Sequence, residues 1–193
     1  MFLQLFAKFN FLDFVILIIF FRICYIAVQT GLSIEIFKFL GLFFSSYIAL
    51  HYYTVVADFI RRDFLPKEMP IDFLDFIMFI LLLVVVYLIS VGMRVFLSRF
   101  VQLDAIPKVN KILGLILGIG RAYLFTGLIA FVLVISSVTY FNSAVKYSYL
   151  GSKAFVILPQ TYGWLWNNIF SKFSGQEKFN PTVTETMEEF KVK

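Results

Sequence analysis

The sequence predicts an all-α membrane protein with four transmembrane helices that form two helical hairpins, followed by an interfacial helix near the C-terminus. Composition is the first reason, because 61% of the 193 residues are hydrophobic and only 15% are charged, whereas about one-quarter of the residues of a soluble domain are charged. The hydrophobic residues also fall into four long segments separated by shorter polar connections. In the last of these segments small residues recur at every fourth position, a packing pattern typical of helices inside bilayers.

The first predicted hairpin consists of helices over residues 11–28 and 34–57. Asn10 provides an N-cap for the first helix, because its side-chain oxygen can accept hydrogen bonds from the free N–H groups of the first turn. Asp13, in that first turn, is favoured by the positive end of the helix dipole. The mostly polar residues 29–33 are predicted to form the turn between the two helices.

The second predicted hairpin consists of helices over residues 73–93 and 110–140. Asp72 and Asp75 stand at its start in the same spacing as Asn10 and Asp13 stand at the start of the first, so we assign them the same helix-start role. Residues 76–93 are 18 residues without a charge, which meets the approximate length of a membrane-spanning helix.

Two of the predicted spans carry a face of small residues. Positions four apart lie on the same side of a helix, and a face of small side chains lets another backbone approach closely within a bilayer. We therefore expect the face of the fourth span to dock on a partner helix, and a scaffold protein to bind its partner proteins through such small-residue faces. The residues are Gly41, Ser45 and Ala49 in the second span and Gly114, Gly118 and Ala122 in the fourth.

The four spans are expected to form one membrane domain over residues 1–160. Residues 161–173 contain Trp164 and Trp166 and have an apolar side, which predicts an amphipathic helix in the membrane interface. Residues 174–193 are polar, and we expect a flexible tail there.

Two arginines lie inside predicted spans, where an arginine costs at least about 2.5 kcal/mol at the bilayer centre. Arg22 and Arg121 lie at similar depths below the same membrane face, and Glu35 starts the second span on that face. One hypothesis is that Glu35 bridges both arginines on the inward side of the bundle. The alternative is that each arginine extends separately to the lipid headgroups.

His51 precedes two tyrosines near the far end of the second predicted span. As a proton relay it would need a carboxylate at a similar depth, and Asp13 and Asp75 lie on that side. The alternative, which we favour, is a hydrogen-bonded histidine within an aromatic belt at the membrane interface.

Catalytic and metal chemistry is not indicated. The chain has one histidine and one cysteine, too few for a structural zinc site, and it lacks an H-E-x-x-H motif. We therefore expect no catalytic residue, no metal and no cofactor, and we do not expect an enzyme. The formal charge of +5 is assigned to basic residues that flank the spans, and no basic run with aromatic residues indicates nucleic-acid binding.

The orientation in the membrane is inferred from the distribution of basic residues. Four spans place both termini on one side, and basic residues are divided almost evenly between the two sides. The connection between the third and fourth spans carries the densest basic cluster, which favours the cytoplasm for that connection and the outer side for the termini. The cluster comprises Arg94, Arg99, Lys108 and Lys111.

Three short motifs occur in a consistent order between residues 10 and 140. They are Asn10 with Asp13, then Gly31 with Glu35, then Asn110 and Lys111 with Gly114, Gly118 and Arg121. In these motifs the chain resembles the colicin V production protein (CvpA) family of small four-span inner-membrane proteins. Three positions depart from the family pattern: Asn110-Lys111 replaces an acidic–basic pair, Ala122 replaces a frequent glycine, and Thr30 replaces the arginine before Gly31.

The resemblance implies a multi-pass protein of the bacterial inner membrane that is associated with toxin production or export and with envelope maintenance. It implies no defined reaction. We expect an accessory or scaffold protein whose partners are the lipid bilayer and other membrane proteins or a second copy of itself. The alternative is a small channel or transporter that uses Arg22, Glu35 and Arg121, although no proline interrupts the predicted spans as in the broken helices of many transporters.

Overall fold

The computed structural model describes residues 9–64, 69–97, 107–173, 175 and 177–192, and these residues are helical without any β-strand. Three of the helices, α1, α2 and α3, are long and apolar enough to cross a membrane. The helices are α1 (Phe11–Asp63), α2 (Ile71–Leu97), α3 (Pro107–Ile135), α4 (Thr139–Tyr147), α5 (Tyr149–Leu165), a π-helical turn (Trp166–Phe170), α6 (Ser171–Phe173) and α7 (Pro181–Val192).

α1 is broken at Gly31. Its 53 residues would measure about 80 Å as one straight helix, and the hydrocarbon core of a bilayer is only about 30 Å thick. Gly31 has φ 71° and ψ −179°, a backbone conformation that glycine adopts without steric cost. The break separates an N-terminal half (residues 11–30) from a C-terminal half (residues 32–63).

The break replaces the turn predicted over residues 29–33. Only Gly31 leaves the helical conformation, and the helix resumes at Leu32. A side chain of α3 stabilises this restart. The side-chain Oδ1 of Asn110 on α3 accepts a hydrogen bond of 2.7 Å from the N–H of Leu32. An N-terminal N–H group that would otherwise lack a partner is thereby satisfied.

The two halves of α1 contact α3 in opposite order. As residue numbers rise along the N-terminal half, the contacted positions on α3 fall; along the C-terminal half they rise. The pairs are Phe20 with Tyr123 and Ala27 with Gly118 in the first half, and Gly31 with Gly114 and Glu35 with Arg121 at the start of the second.

α2 packs on the C-terminal half of α1. A Cβ added at Gly41 would lie 3.0 Å from the Ser90 side chain, and the rings of Tyr53 and Phe79 meet edge to face at 5.6 Å. The opposite side of α2 is exposed and strongly apolar, with Leu88 61% exposed. Such a surface is unfavourable in water but suits contact with lipid.

The fourth predicted span differs from the helix observed. α3 begins at Pro107 and ends at Ile135, five residues before the predicted end at 140. Ser137 has a positive φ of 57°, and the chain then starts the short helix α4. The absence of charge in the residues that follow Ile135 misled the prediction, because composition does not reveal this change of direction.

α5 is not predicted by the sequence pattern. It packs against α3 through Gly127, where a Cβ would lie 3.1 Å from the carbonyl oxygen of Ala154, and through stacked rings of Phe131 and Phe155 at 5.9 Å. Pro159 lies inside this helix. Since proline usually interrupts helices, its presence argued against a continuous helix over these residues.

The helix predicted over residues 161–173 is therefore not a separate element. These residues form the end of α5, the π-helical turn and α6. Trp164 is 60% exposed, as expected at a membrane interface, whereas Trp166 is buried.

The expectation of a flexible tail is wrong for residues 177–192, which form an ordered segment that includes α7. Val183 is fully buried, and the ring of Phe190 lies 4.4 Å from that of Phe155. The side chain of Asn180 donates a hydrogen bond of 2.8 Å to the carbonyl oxygen of Leu50. A few widely spaced side chains thus attach this mostly polar segment to α1 and α5.

Candidate functional site

A cluster of charged side chains lies beside the break in α1. Glu35 is fully buried, and its Oε1 accepts hydrogen bonds from Lys38 Nζ at 2.6 Å and from Thr30 Oγ1 at 2.7 Å. Its Oε2 lies 3.0 Å from Nη2 of Arg121 on α3. The break at Gly31 brings the end of one helical half next to the first turn of the other. The cluster therefore joins both halves of α1 to α3.

The cluster carries one negative and two positive charges. Lys38 and Arg121 are each only 13% exposed, so their charges are largely removed from water, which is costly unless they are paired. The pairing is incomplete: among the described residues, Nε of Arg121 has no hydrogen-bond partner, and Oε2 of Glu35 has only the ion-pair contact. Glu35 is thus the anion on which both cations depend.

Arg22 does not join the cluster. It is exposed and makes no ion pair to the residues that the structure describes, so the predicted bridge from Glu35 to both arginines is wrong for Arg22. It precedes the buried Ala27 by five positions, which places it about 140° around the helix from the side that faces α3. The alternative prediction, extension toward the headgroups, fits this position.

The small residues of α3 allow the close approach that the cluster needs. A Cβ at Gly114 would lie 2.9 Å from the carbonyl oxygen of Ala27 and from Gly31 Cα, and a Cβ at Gly118 would overlap the Cβ of Ala27. These faces therefore pack within the chain. The other predicted packing residues are also buried: Gly41, Ser45, Ala49 and Ala122.

The helix-start residues of α1 do more than cap one helix. Asn10 accepts from the N–H of Asp13, and Asp13 Oδ2 accepts from the N–H of Asn10, which completes a capping box. Asp13 Oδ1 also accepts from Ser148 Oγ at 2.7 Å and from the N–H of Leu150 at 2.6 Å. Asp13 therefore holds the N-terminus of α5 against α1, a role the sequence did not indicate.

The start of α2 differs from the prediction. The helix begins at Ile71, so Asp72 lies in its first turn and not at the N-cap. Oδ1 of Asp75 is buried without a hydrogen-bond partner among the described residues. Both aspartates line a cavity of about 670 Å³ between the start of α2, the end of α3, α4 and α7. None of the residues of the charge cluster lines it.

His51 is hydrogen-bonded within an aromatic group. Its Nδ1 lies 2.8 Å from the Tyr162 hydroxyl, and its ring stacks between Tyr47 and Trp166 at 5.6 and 5.2 Å. The carboxylate that faces it is Glu177, at 3.8 Å from Nε2, and not Asp13 or Asp75. The tail that supplies Glu177 was predicted to be flexible, so the sequence could not indicate this contact.

Metal-binding geometry is not found among the described residues: no three His, Cys, Asp or Glu side chains come together in a way that could hold an ion. Cys24 is partly buried with a free thiol.

Comparison with family models gives a match over most of the chain. The family model described as colicin V production protein matches residues 12–156, a segment that includes the break at Gly31, Glu35, Arg121 and about the first half of α5. No curated protein and no solved structure matches the chain. Because the matched segment covers most of the 193 residues, this chain belongs to the colicin V production protein family.

Proposed function

We propose that this protein is an accessory or scaffold protein of the bacterial inner membrane that supports toxin production or export and envelope maintenance. The observation that carries the proposal is the charge cluster around Glu35. A fully buried carboxylate that joins three helical segments acts as a structural clamp, and it presents the outer faces of the helices in a defined arrangement to other membrane proteins.

The proposal includes a four-span topology of two helical hairpins. α1 is too long for one crossing, and each of its halves has enough residues for a crossing of its own. The opposite order in which the halves contact α3 supports an antiparallel pair. Together with α2 and α3 they make four spans, with both termini on the same side, which we assign to the outer side.

Features of the cluster favour a clamp over a transport site. Both oxygens of Glu35 are engaged by groups of this chain, whereas a transported ion needs a site that it can enter and leave. The large cavity lies against the start of α2 and not against the cluster. Partners, either other membrane proteins or a second copy, would contact exposed faces such as the outer side of α2, since the small-residue faces are occupied within the chain.

The test compares Glu35→Gln and Arg121→Gln with the matched control Arg22→Gln, which removes an arginine that has no ion pair to the described residues. Each variant replaces the chromosomal copy in a bacterium that exports a bacteriocin of the colicin V type. We expect the first two to reduce toxin release and survival in bile detergent, and the control to behave like the wild type. Immunoblots of isolated membranes check that amounts are equal.

A flux measurement separates the scaffold from the channel. Purified protein in liposomes should not increase the permeability to protons or chloride, and crosslinking in native membranes should capture partners that Glu35→Lys no longer captures. Ion flux that is present in the wild type and lost in Glu35→Gln would contradict the scaffold. A reporter active only in the cytoplasm, fused after Lys193, should remain inactive if the termini lie outside.

A further inference from the structure

Hydrogen bonds connect the C-terminal segment, residues 177–192, to His51 and to the tyrosines beside it. The backbone N–H of Asn180 donates to the Tyr162 hydroxyl oxygen at 3.0 Å, and that hydroxyl lies 2.8 Å from His51 Nδ1. On the other side of the ring, His51 Nε2 faces Glu177, whose Oε1 accepts from the Tyr52 hydroxyl at 2.6 Å. The first and fourth residues of the segment thus both meet this histidine or its partner.

These contacts determine the protonation of the histidine. Burial raises the pKa of the Tyr162 hydroxyl to about 12, so this group keeps its proton and can donate it in a hydrogen bond. Its oxygen accepts from Asn180, and Nδ1 of His51 lies within hydrogen-bond distance, so the arrangement that pairs every group directs the hydroxyl hydrogen to an unprotonated Nδ1. The neutral histidine then carries its hydrogen on Nε2, on the side of Glu177.

A proton on Nδ1 breaks this chain. Nδ1 would become a donor, the Tyr162 oxygen would face two donors, and the hydroxyl hydrogen would lose its acceptor in a site where Tyr162 is only 1% exposed. A buried donor without a partner is unfavourable. The titratable groups that face His51 are Tyr47 and Tyr52 from α1, Tyr162 from α5 and Glu177 from the segment before α7.

Glu177 does not offset this loss. It is 44% exposed, and ion pairs at such exposed positions contribute little. When the segment is released, water can reach the ring and solvate both N–H groups, so the charged histidine is better accommodated without the segment than with it.

We propose that residues 177–192 form a strap that stays docked while His51 is neutral and is released when His51 is protonated. Release would uncover the aromatic group around His51 and would open the cavity at the start of α2, because Thr182, Glu185 and Glu189 of the strap form part of its wall. Acidification on the side of the termini would then change the surface that the protein presents there.

Amide hydrogen exchange of the protein in nanodiscs tests the strap. Between about pH 7.5 and about pH 5, the range in which a histidine changes its charge, exchange in residues 177–192 should accelerate about tenfold beyond the intrinsic effect of pH. Exchange in α3 should not change. His51→Gln keeps an acceptor for Tyr162 but does not titrate, so its strap should stay protected at both pH values.

Two further variants make the test specific. Glu177→Gln should retain the pH response, because the histidine is the titrating group. Tyr162→Phe should expose the strap at both pH values, because it removes the group that connects Asn180 to His51. The proposal is overturned if the wild type shows no pH response, if His51→Gln retains one, or if Glu177→Gln abolishes it.

Discussion

Gly118 offers a direct test of how closely α1 and α3 approach. In Gly118→Ala the new Cβ would overlap the Cβ of Ala27 and lie 3.7 Å from its Cα. Carbon atoms pack at about 3.5–4.0 Å, and both atoms are attached directly to helix backbones, so the helices would have to separate by more than about 1 Å.

The expected magnitude follows from two opposing effects. Overpacking of a core typically costs about 1–3 kcal/mol, and the rigid neighbour places Gly118→Ala near the upper end. Alanine is about 1 kcal/mol more favourable than glycine in a helix. The net loss in the free energy of unfolding should therefore be about 1–2 kcal/mol. Gly92→Ala on α2 is the matched control, because no atom of the described residues lies within 4 Å of a Cβ at that position, and it should be neutral or stabilising.

The assay is unfolding of the detergent-solubilised protein by sodium dodecyl sulfate, followed by circular dichroism and tryptophan fluorescence. A second change, Ala27→Gly, removes the Cβ that Gly118→Ala meets and should restore most of the lost stability. If Gly118→Ala is as stable as Gly92→Ala, or if Ala27→Gly worsens it, the close contact does not exist.

Other predictions concern the break, the helix start and the start of α2. Gly31→Ala places a side chain at a residue with positive φ and against Asn110. Thermal unfolding should show that the free energy of unfolding falls by at least about 1–2 kcal/mol. Unchanged stability would mean that the break adopts another conformation. Asp13→Ala removes the acceptor for Ser148 and Leu150. Hydrogen bonds to charged groups contribute about 1.5–3 kcal/mol each, so amide hydrogen exchange at the start of α5 should become faster. The control Asp72→Ala alters an exposed aspartate and should leave that exchange unchanged; an equal response of both variants would refute the role of Asp13. Leu88→Ala on the exposed face of α2 should not change stability in detergent, and a large loss would indicate that this face is buried.

Local patterns predicted some contacts well. The spacing of Gly114 and Gly118 indicated a face for close packing, and Asn10 with Asp13 indicated the start of a helix, because both features depend on residues within one or two turns. The pairing of Glu35 with Arg121 was one of two hypotheses that their depth and opposite charge allowed. Depth alone could not separate Arg121 from Arg22, since the direction of a side chain around its helix depends on which face meets the neighbouring helix.

Other contacts between distant segments were not predictable from the sequence. Asn110 supplies a hydrogen bond to Leu32 across 78 positions, and no local pattern identifies such a partner. The docking of residues 177–192 depends on anchors such as Asn180 and Phe190, which stand alone in polar surroundings. A single chain also does not reveal that Asp13 serves α5 as well as α1.

A double-mutant cycle at Glu35 and Arg121 tests the clamp most directly. Glu35→Gln, Arg121→Gln and the double variant are unfolded under the same conditions as the wild type. If the buried pair joins α1 to α3, the double variant should lose less stability than the two single variants together, by at least about 1 kcal/mol. Losses that simply add would show that the two side chains do not interact and would contradict the account of the cluster.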